Sequence, residues 1–152
     1  FNLAGLQTAA VMVPDPVIRH KLERGLNTDE VAEPNSFAIG AAVAAFQKGG
    51  AWLEELREYL ARNKRFVRRF LEEKAVPSQA TYLLWLDCGG LTEDAGELAA
   101  FLRKDSGLYL TEGEEYGACG KRFLRLNTAC PSARLQEGLE RLEKSIGNWK
   151  GR

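Results

Sequence analysis

The stretch Arg122-Phe123-Leu124-Arg125-Leu126-Asn127-Thr128-Ala129 reads as a β-strand with two chemically different faces. Side chains alternate across a strand with period two, which puts Leu124, Leu126 and Thr128 on one side and Phe123, Arg125 and Asn127 on the other. With the leucines turned toward a core, Arg125 shares the opposite face with an aromatic ring and an amide. A guanidinium is always charged and presents a planar fork of donors matched to a carboxylate, so a half-buried one requires an anionic partner. Spacing alone leaves two partners open: one of the chain's own acids, or the carboxylate of a substrate.

Working outward from this strand, Leu135, Leu139, Leu142 and Ile146 recur at helical spacing and predict a final helix with one apolar stripe. Before the strand, Gly113 to Gly120 is a glycine-rich loop, Leu108-Tyr109-Leu110 a brief strand, and about Thr92 to Arg103 a short helix. Ala80 to Leu86 is rich in aromatic and β-favouring residues and reads as a further strand, separated by Pro77 and Ser78 from a long amphipathic helix over Ala51 to Lys74. Ser36 is the expected N-cap of an alanine-rich helix, Phe37 to Lys48, closed by Gly49 and Gly50. Nearest the front, Ala9 to Val13 suits a buried strand ended by Pro14-Asp15-Pro16. A helix follows it, with Val17, Ile18, Leu22 and Leu26 as its apolar side, and Asn27 to Glu30 form a loop. A helix-rich front and a strand-rich back indicate an α/β or α+β chain, with a candidate boundary near Gly49-Gly50.

Composition excludes several classes. The chain has 152 residues, long enough to bury roughly 70% of the surface its unfolded form exposes. Twenty-one basic residues balance twenty-one acidic ones, so no global pull toward nucleic acid or anionic membrane is expected. Arg62, Lys64, Arg65, Arg68 and Arg69 cluster on the long helix but are flanked by acids and lack stacking aromatics, which reads as a solvated face. Cys88, Cys119 and Cys130 form no CxxC pair and are expected to be reduced, in a cytoplasmic protein. His20, the single histidine, has no partner for a metal site or triad. The longest apolar stretch, Phe37 to Phe46, falls far short of a membrane span. Gly113 to Gly120 matches no phosphate-binding fingerprint, so Tyr116 within it is at most a residue lining a site. Trp52, Trp85 and Trp149 read as packing residues.

Three stretches together resemble the C-terminal portion of fold type I pyridoxal phosphate enzymes of the class I/II aminotransferase family, especially the cystathionine β-lyase-like carbon-sulfur lyases. They are Phe1-Asn2-Leu3-Ala4-Gly5-Leu6-Gln7, Ala80-Thr81-Tyr82-Leu83-Leu84-Trp85-Leu86-Asp87 and Phe123-Leu124-Arg125-Leu126-Asn127-Thr128-Ala129-Cys130-Pro131. Ala44 to Leu53, Tyr59-Leu60 and Asn63 are similar to the same subgroup. The resemblance implies that residues 1–50 end a large cofactor-binding domain, while 51–152 form a long linking helix and a small α+β domain. It implies pyridoxal 5'-phosphate as the cofactor of a full-length parent, with the Schiff-base lysine two residues upstream of Phe1, so that this chain alone is expected to be inactive. It assigns Arg125 to the α-carboxylate of an amino acid substrate. It also implies a homodimer, with Asn35-Ser36-Phe37 near the interface, and the N-terminal remainder of the enzyme as a partner. A class I/II aminotransferase is the alternative activity, and a non-catalytic interaction module using the charged helix is the alternative of another class.

Overall fold

The computed structural model describes residues 1–31 and 33–150, with the backbone alone at 73 and 150. Among the described residues lie five α-helices, α1 (Pro16–Thr28), α2 (Ala38–Lys48), α3 (Gly50–Leu71), α4 (Ala95–Ser106) and α5 (Ser132–Lys150), and three strands, β1 (Leu83–Asp87), β2 (Thr111–Glu112) and β3 (Phe123–Asn127). The chain divides into two units, Phe1–Leu56 and Arg57–Arg152.

In the second unit the strands form one antiparallel sheet in the order β1-β3-β2. The alternation read from the sequence is realised: Leu124 and Leu126 of β3 and Leu84 and Leu86 of β1 are buried on one face. They meet Leu98, Ala99 and Leu102 of α4, Leu135, Leu139 and Leu142 of α5, and Val67 and Leu71 from the end of α3. Each leucine taken from water contributes about 1.5–3 kcal/mol, so this shared cluster is the main source of stability in the unit. Helix α4 begins where Asp94 accepts the Gly96 N–H at 2.9 Å and ends at Gly107, whose φ of 68° is the left-handed conformation a glycine adopts without steric cost. That cap bond is the main reason the Asp94 carboxyl sits below its usual range; burial works against it, and Lys121 alongside lowers it further.

Two polar side chains of α3 organise the exit from β3. Asn63, only 3% exposed, donates to the carbonyls of Thr128 at 2.8 Å and Cys130 at 3.1 Å. The Tyr59 hydroxyl accepts the Ser132 N–H at 2.9 Å, satisfying one of the donors left unpaired at the start of α5, and donates to the Cys130 carbonyl at 3.3 Å. Hydrogen bonding to Ser132 lowers the Tyr59 phenol from its ordinary value. These bonds fix where β3 ends and α5 begins, and therefore the register that carries Arg125.

Several local expectations are corrected. Residues 9–13 form no strand, and Met12 is 93% exposed. An apolar run becomes a strand only beside a pairing partner, and among the described residues none lies next to it. Asn27 and Thr28 continue α1, each side chain bonding back to the carbonyl four residues earlier. At the start of α2 it is Asn35, and not Ser36, whose side chain accepts a backbone N–H, that of Phe37 at 2.8 Å. The brief strand falls at Thr111–Glu112 and not at Leu108–Leu110, because pairing with Arg125 and Leu124 sets its position.

Candidate functional site

The face of the sheet opposite the core is where chemistry-bearing side chains gather. Arg125 lies at the centre of the middle strand, directly opposite Trp85 on β1 and Thr111 on β2. Directly opposed residues on neighbouring strands share a face, so the guanidinium is flanked on both sides. One of its terminal nitrogens donates to the Thr111 hydroxyl at 3.2 Å. Its central carbon stands 4.9 Å from the centre of the Tyr116 ring, within the range of cation–π attraction. Tyr116 in turn meets Trp85 edge to face at 5.7 Å, and Trp85 meets Phe123 at 5.8 Å.

Among the described residues no carboxylate pairs with Arg125, whereas Arg122 pairs with Asp87, Lys121 with Asp94 and Arg141 with Glu137. A half-buried cation held by a hydroxyl and a ring retains its full charge and its capacity for an anion. Beside it opens a cleft of about 270 Å³ lined by Val76, Trp85, Tyr116, Cys119, Gly120 and Phe123. A larger groove of about 690 Å³ passes Leu71, Lys74, Asp87 and Arg122, but there the arginine is already engaged by Asp87.

The glycine-rich loop is folded into two short 3-10 turns, Gly113–Tyr116 and Ala118–Gly120. A Cβ on Gly113 would stand 2.6 Å from the Trp85 ring and 2.7 Å from the Phe123 carbonyl, and Gly113 and Gly120 approach each other backbone to backbone too closely for any side chain. Their smallness serves contact of the loop with itself and the sheet, and it holds Tyr116 over Arg125.

Of the residues singled out from the sequence, Arg125 and Tyr116 come together. His20 lies on the exposed surface of α1, and no group of three or more metal-ligating side chains occurs among the described residues. Trp85 was expected only to pack, yet it stands at the side of the arginine. Thr111 was not singled out; the signal that would have found it is register across strands, which local pattern does not contain. Cys88 is buried, and burial, reinforced by Asp87, pushes its thiol up to about 11, while Cys119 is exposed at the cleft. No helix among the described residues is long and apolar enough to cross a membrane.

A small antiparallel sheet backed by two helices, with an acid-free arginine on its open face and a long helix leading into it, defines the C-terminal class of the type I transferase fold. The chain belongs to the aminotransferase class I and II family, whose model matches residues 1–142. It is 36% identical to cystathionine beta-lyase PatB of Bacillus subtilis and 32% identical to protein MalY of Escherichia coli, in each case over 96% of this chain and 39% of the relative. Among solved structures it matches a PLP-bound putative aminotransferase from Clostridium difficile (32% identity, TM-score 0.88, 96% of this chain, 39% of that one). It also matches cystalysin from Treponema denticola, which contains pyridoxal 5'-phosphate (27% identity, TM-score 0.89, 97% of this chain, 39% of that one). The chain thus spans about two fifths of the length of the relatives it matches.

Proposed function

We propose that this chain is the C-terminal part of a pyridoxal phosphate-dependent carbon-sulfur β-lyase and that Arg125 is its contact for the α-carboxylate of the amino acid substrate. The observation that carries the reading is the guanidinium left without an acid beside the cleft. A bidentate pair with a carboxylate would use the donors that Thr111 does not take and would hold the α-carbon at a fixed distance from the sheet. Tyr116 lines the same place. Residues 1–50 are then the end of a cofactor-binding domain, and 51–152 are the linking helix and small domain. The parent is a cytoplasmic homodimer in this reading.

Pyridoxal phosphate, when bound in the parent, supplies the electron sink for carbanion chemistry. No lysine lines the cleft beside Arg125, and Lys64 of the same unit is engaged by Ser78 and by the carbonyls of Ala80 and Thr81. In this reading the cleft supplies the substrate contact, and with no lysine at it the chain on its own should be inactive.

The lyase reading is preferred to an aminotransferase because the relatives named as cystathionine beta-lyases reach 36% identity, against 24% over a comparable length for a probable aspartate/prephenate aminotransferase of Aquifex aeolicus. The deciding experiment is pyruvate release from L-cystathionine by the full-length enzyme with its cofactor, run beside amino transfer to a keto acid. Rapid pyruvate release supports the lyase; amino transfer alone makes the enzyme an aminotransferase. In the same enzyme Arg125→Ala removes two charge-assisted bonds and should lower kcat/KM by roughly 10²–10⁴-fold while cofactor binding persists. Unchanged kinetics would remove Arg125 from the site.

A further inference from the structure

We propose that Thr111 is a positioning residue for substrate binding: with the Tyr116 ring it forms a neutral clamp that aims the Arg125 fork without consuming its charge. The inference rests on the reading of Arg125 as the carboxylate contact. Arginine side chains are long and rotamer-rich, so a free one loses entropy each time it binds an anion. Most buried or half-buried arginines are held by an acid, which fixes the fork but neutralises it. Here the holding group is a hydroxyl 3.2 Å from one terminal nitrogen, placed by the Thr111–Arg125 pairing of β2 with β3. The second wall is an aromatic face at 4.9 Å, kept in place by Trp85 and by the closed glycine turns. Neither wall carries charge. Strand β2 is only two residues long, Thr111 and Glu112, so one of its two side chains is given to this contact.

The choice of residue type follows. Valine at 111 keeps the shape and removes the acceptor. Serine keeps the acceptor. Aspartate would supply a carboxylate at the same register and occupy the fork that the substrate needs.

The test uses the full-length enzyme with its cofactor, measuring kcat and KM for L-cystathionine, or for the amino donor if the activity is amino transfer. Thr111→Val should raise KM roughly 5- to 20-fold with kcat within about threefold, from loss of one hydrogen bond to a charged group. Thr111→Ser should restore the wild-type KM. Thr111→Asp should raise KM at least about 100-fold, because its carboxylate competes for the guanidinium from within the fold. In an Arg125→Ala background Thr111→Val should add nothing, since the two act through one contact. A purely structural role for Thr111 would instead lower kcat and cofactor occupancy in all backgrounds, and serine would offer no specific rescue. If Arg125→Ala abolishes turnover but Thr111→Val leaves KM unchanged, the positioning role is overturned and the carboxylate reading stands. If Arg125→Ala itself changes nothing, both fall together.

Discussion

The two units of this chain use apolar residues in opposite ways. In residues 57–152 the leucines of sheet and helices converge on one cluster, and Leu84, Leu98, Leu102, Leu124 and Leu139 are almost wholly removed from solvent. In residues 1–56 the sole buried hydrophobic side chain among the described residues is Ala38. Apart from Phe66, Tyr109 and Tyr116, every large exposed hydrophobic residue lies in that first unit, from Leu3 through Phe37 and Phe46 to Trp52. Both segments are patterned for burial, yet one completes its core within itself and the other does not. Helical amphipathicity thus tells which side of a helix is to be covered, but not whether the cover belongs to the same unit.

The largest effect expected from this contrast is on independent folding. A chain of residues 57–152 should retain a cooperative urea transition, whereas residues 1–56 alone should show none; circular dichroism of the two pieces is the check, and a cooperative transition in the first piece would break the comparison. Next comes the core itself. Leu102→Ala in α4 should cost about 3–4 kcal/mol, while Phe46→Ala in α2 should cost less than about 0.5 kcal/mol, both read from urea midpoints of the second unit's transition. Similar losses from the two substitutions would mean that Phe46 is covered.

A smaller effect, about 2–3 kcal/mol, is predicted for Asn63→Leu, which leaves the Thr128 and Cys130 carbonyls without their buried donor. The pH response sharpens the picture. Cys88 is buried beside Asp87, and its thiol pKa is raised to about 11 from an unfolded value near 9.0. The folded state therefore holds this proton more tightly than the unfolded one. Its contribution is fully present below about pH 9 and is lost as pH rises toward 11, by about 2–3 kcal/mol at most. Alkaline urea titrations of wild type and Cys88→Ala should diverge in that window, and stability of the wild type that stayed flat there would contradict the assignment. The smallest change is Ser145→Ala: the Ser145 hydroxyl is fully buried with no hydrogen-bond partner among the described residues, so its removal should be neutral or stabilising by up to about 1 kcal/mol.

What was legible in the sequence is what local periodicity encodes. The two faces of β3, the stripe of α5 and the length of α3 are set by residues close in sequence, and the structure reproduces them. The misplacement of β2 and the absence of a strand at 9–13 have one cause: a strand exists only through its neighbour, and neighbours are chosen at long range. The candidate site divides in the same way. Arg125 was visible as a charged residue inside an apolar alternation, while Thr111 and the side position of Trp85 came into view only with the register. The expected Ser36 cap at α2 is not formed, because the helix begins at Ala38 with Phe37 at its cap position, and the nearby Asn35 side chain takes the Phe37 N–H instead.

The mutual approach of Gly113 and Gly120 has a consequence for anyone wishing to change what the cleft accepts. Because the turn closes main chain on main chain, its circumference cannot be adjusted by a larger residue at either point without prising Tyr116 away from Arg125. Variation is better invested in Val76, Cys119 and Phe123, whose side chains shape the cavity wall, with both glycines held constant. The loop then acts as a fixed frame around an exchangeable lining.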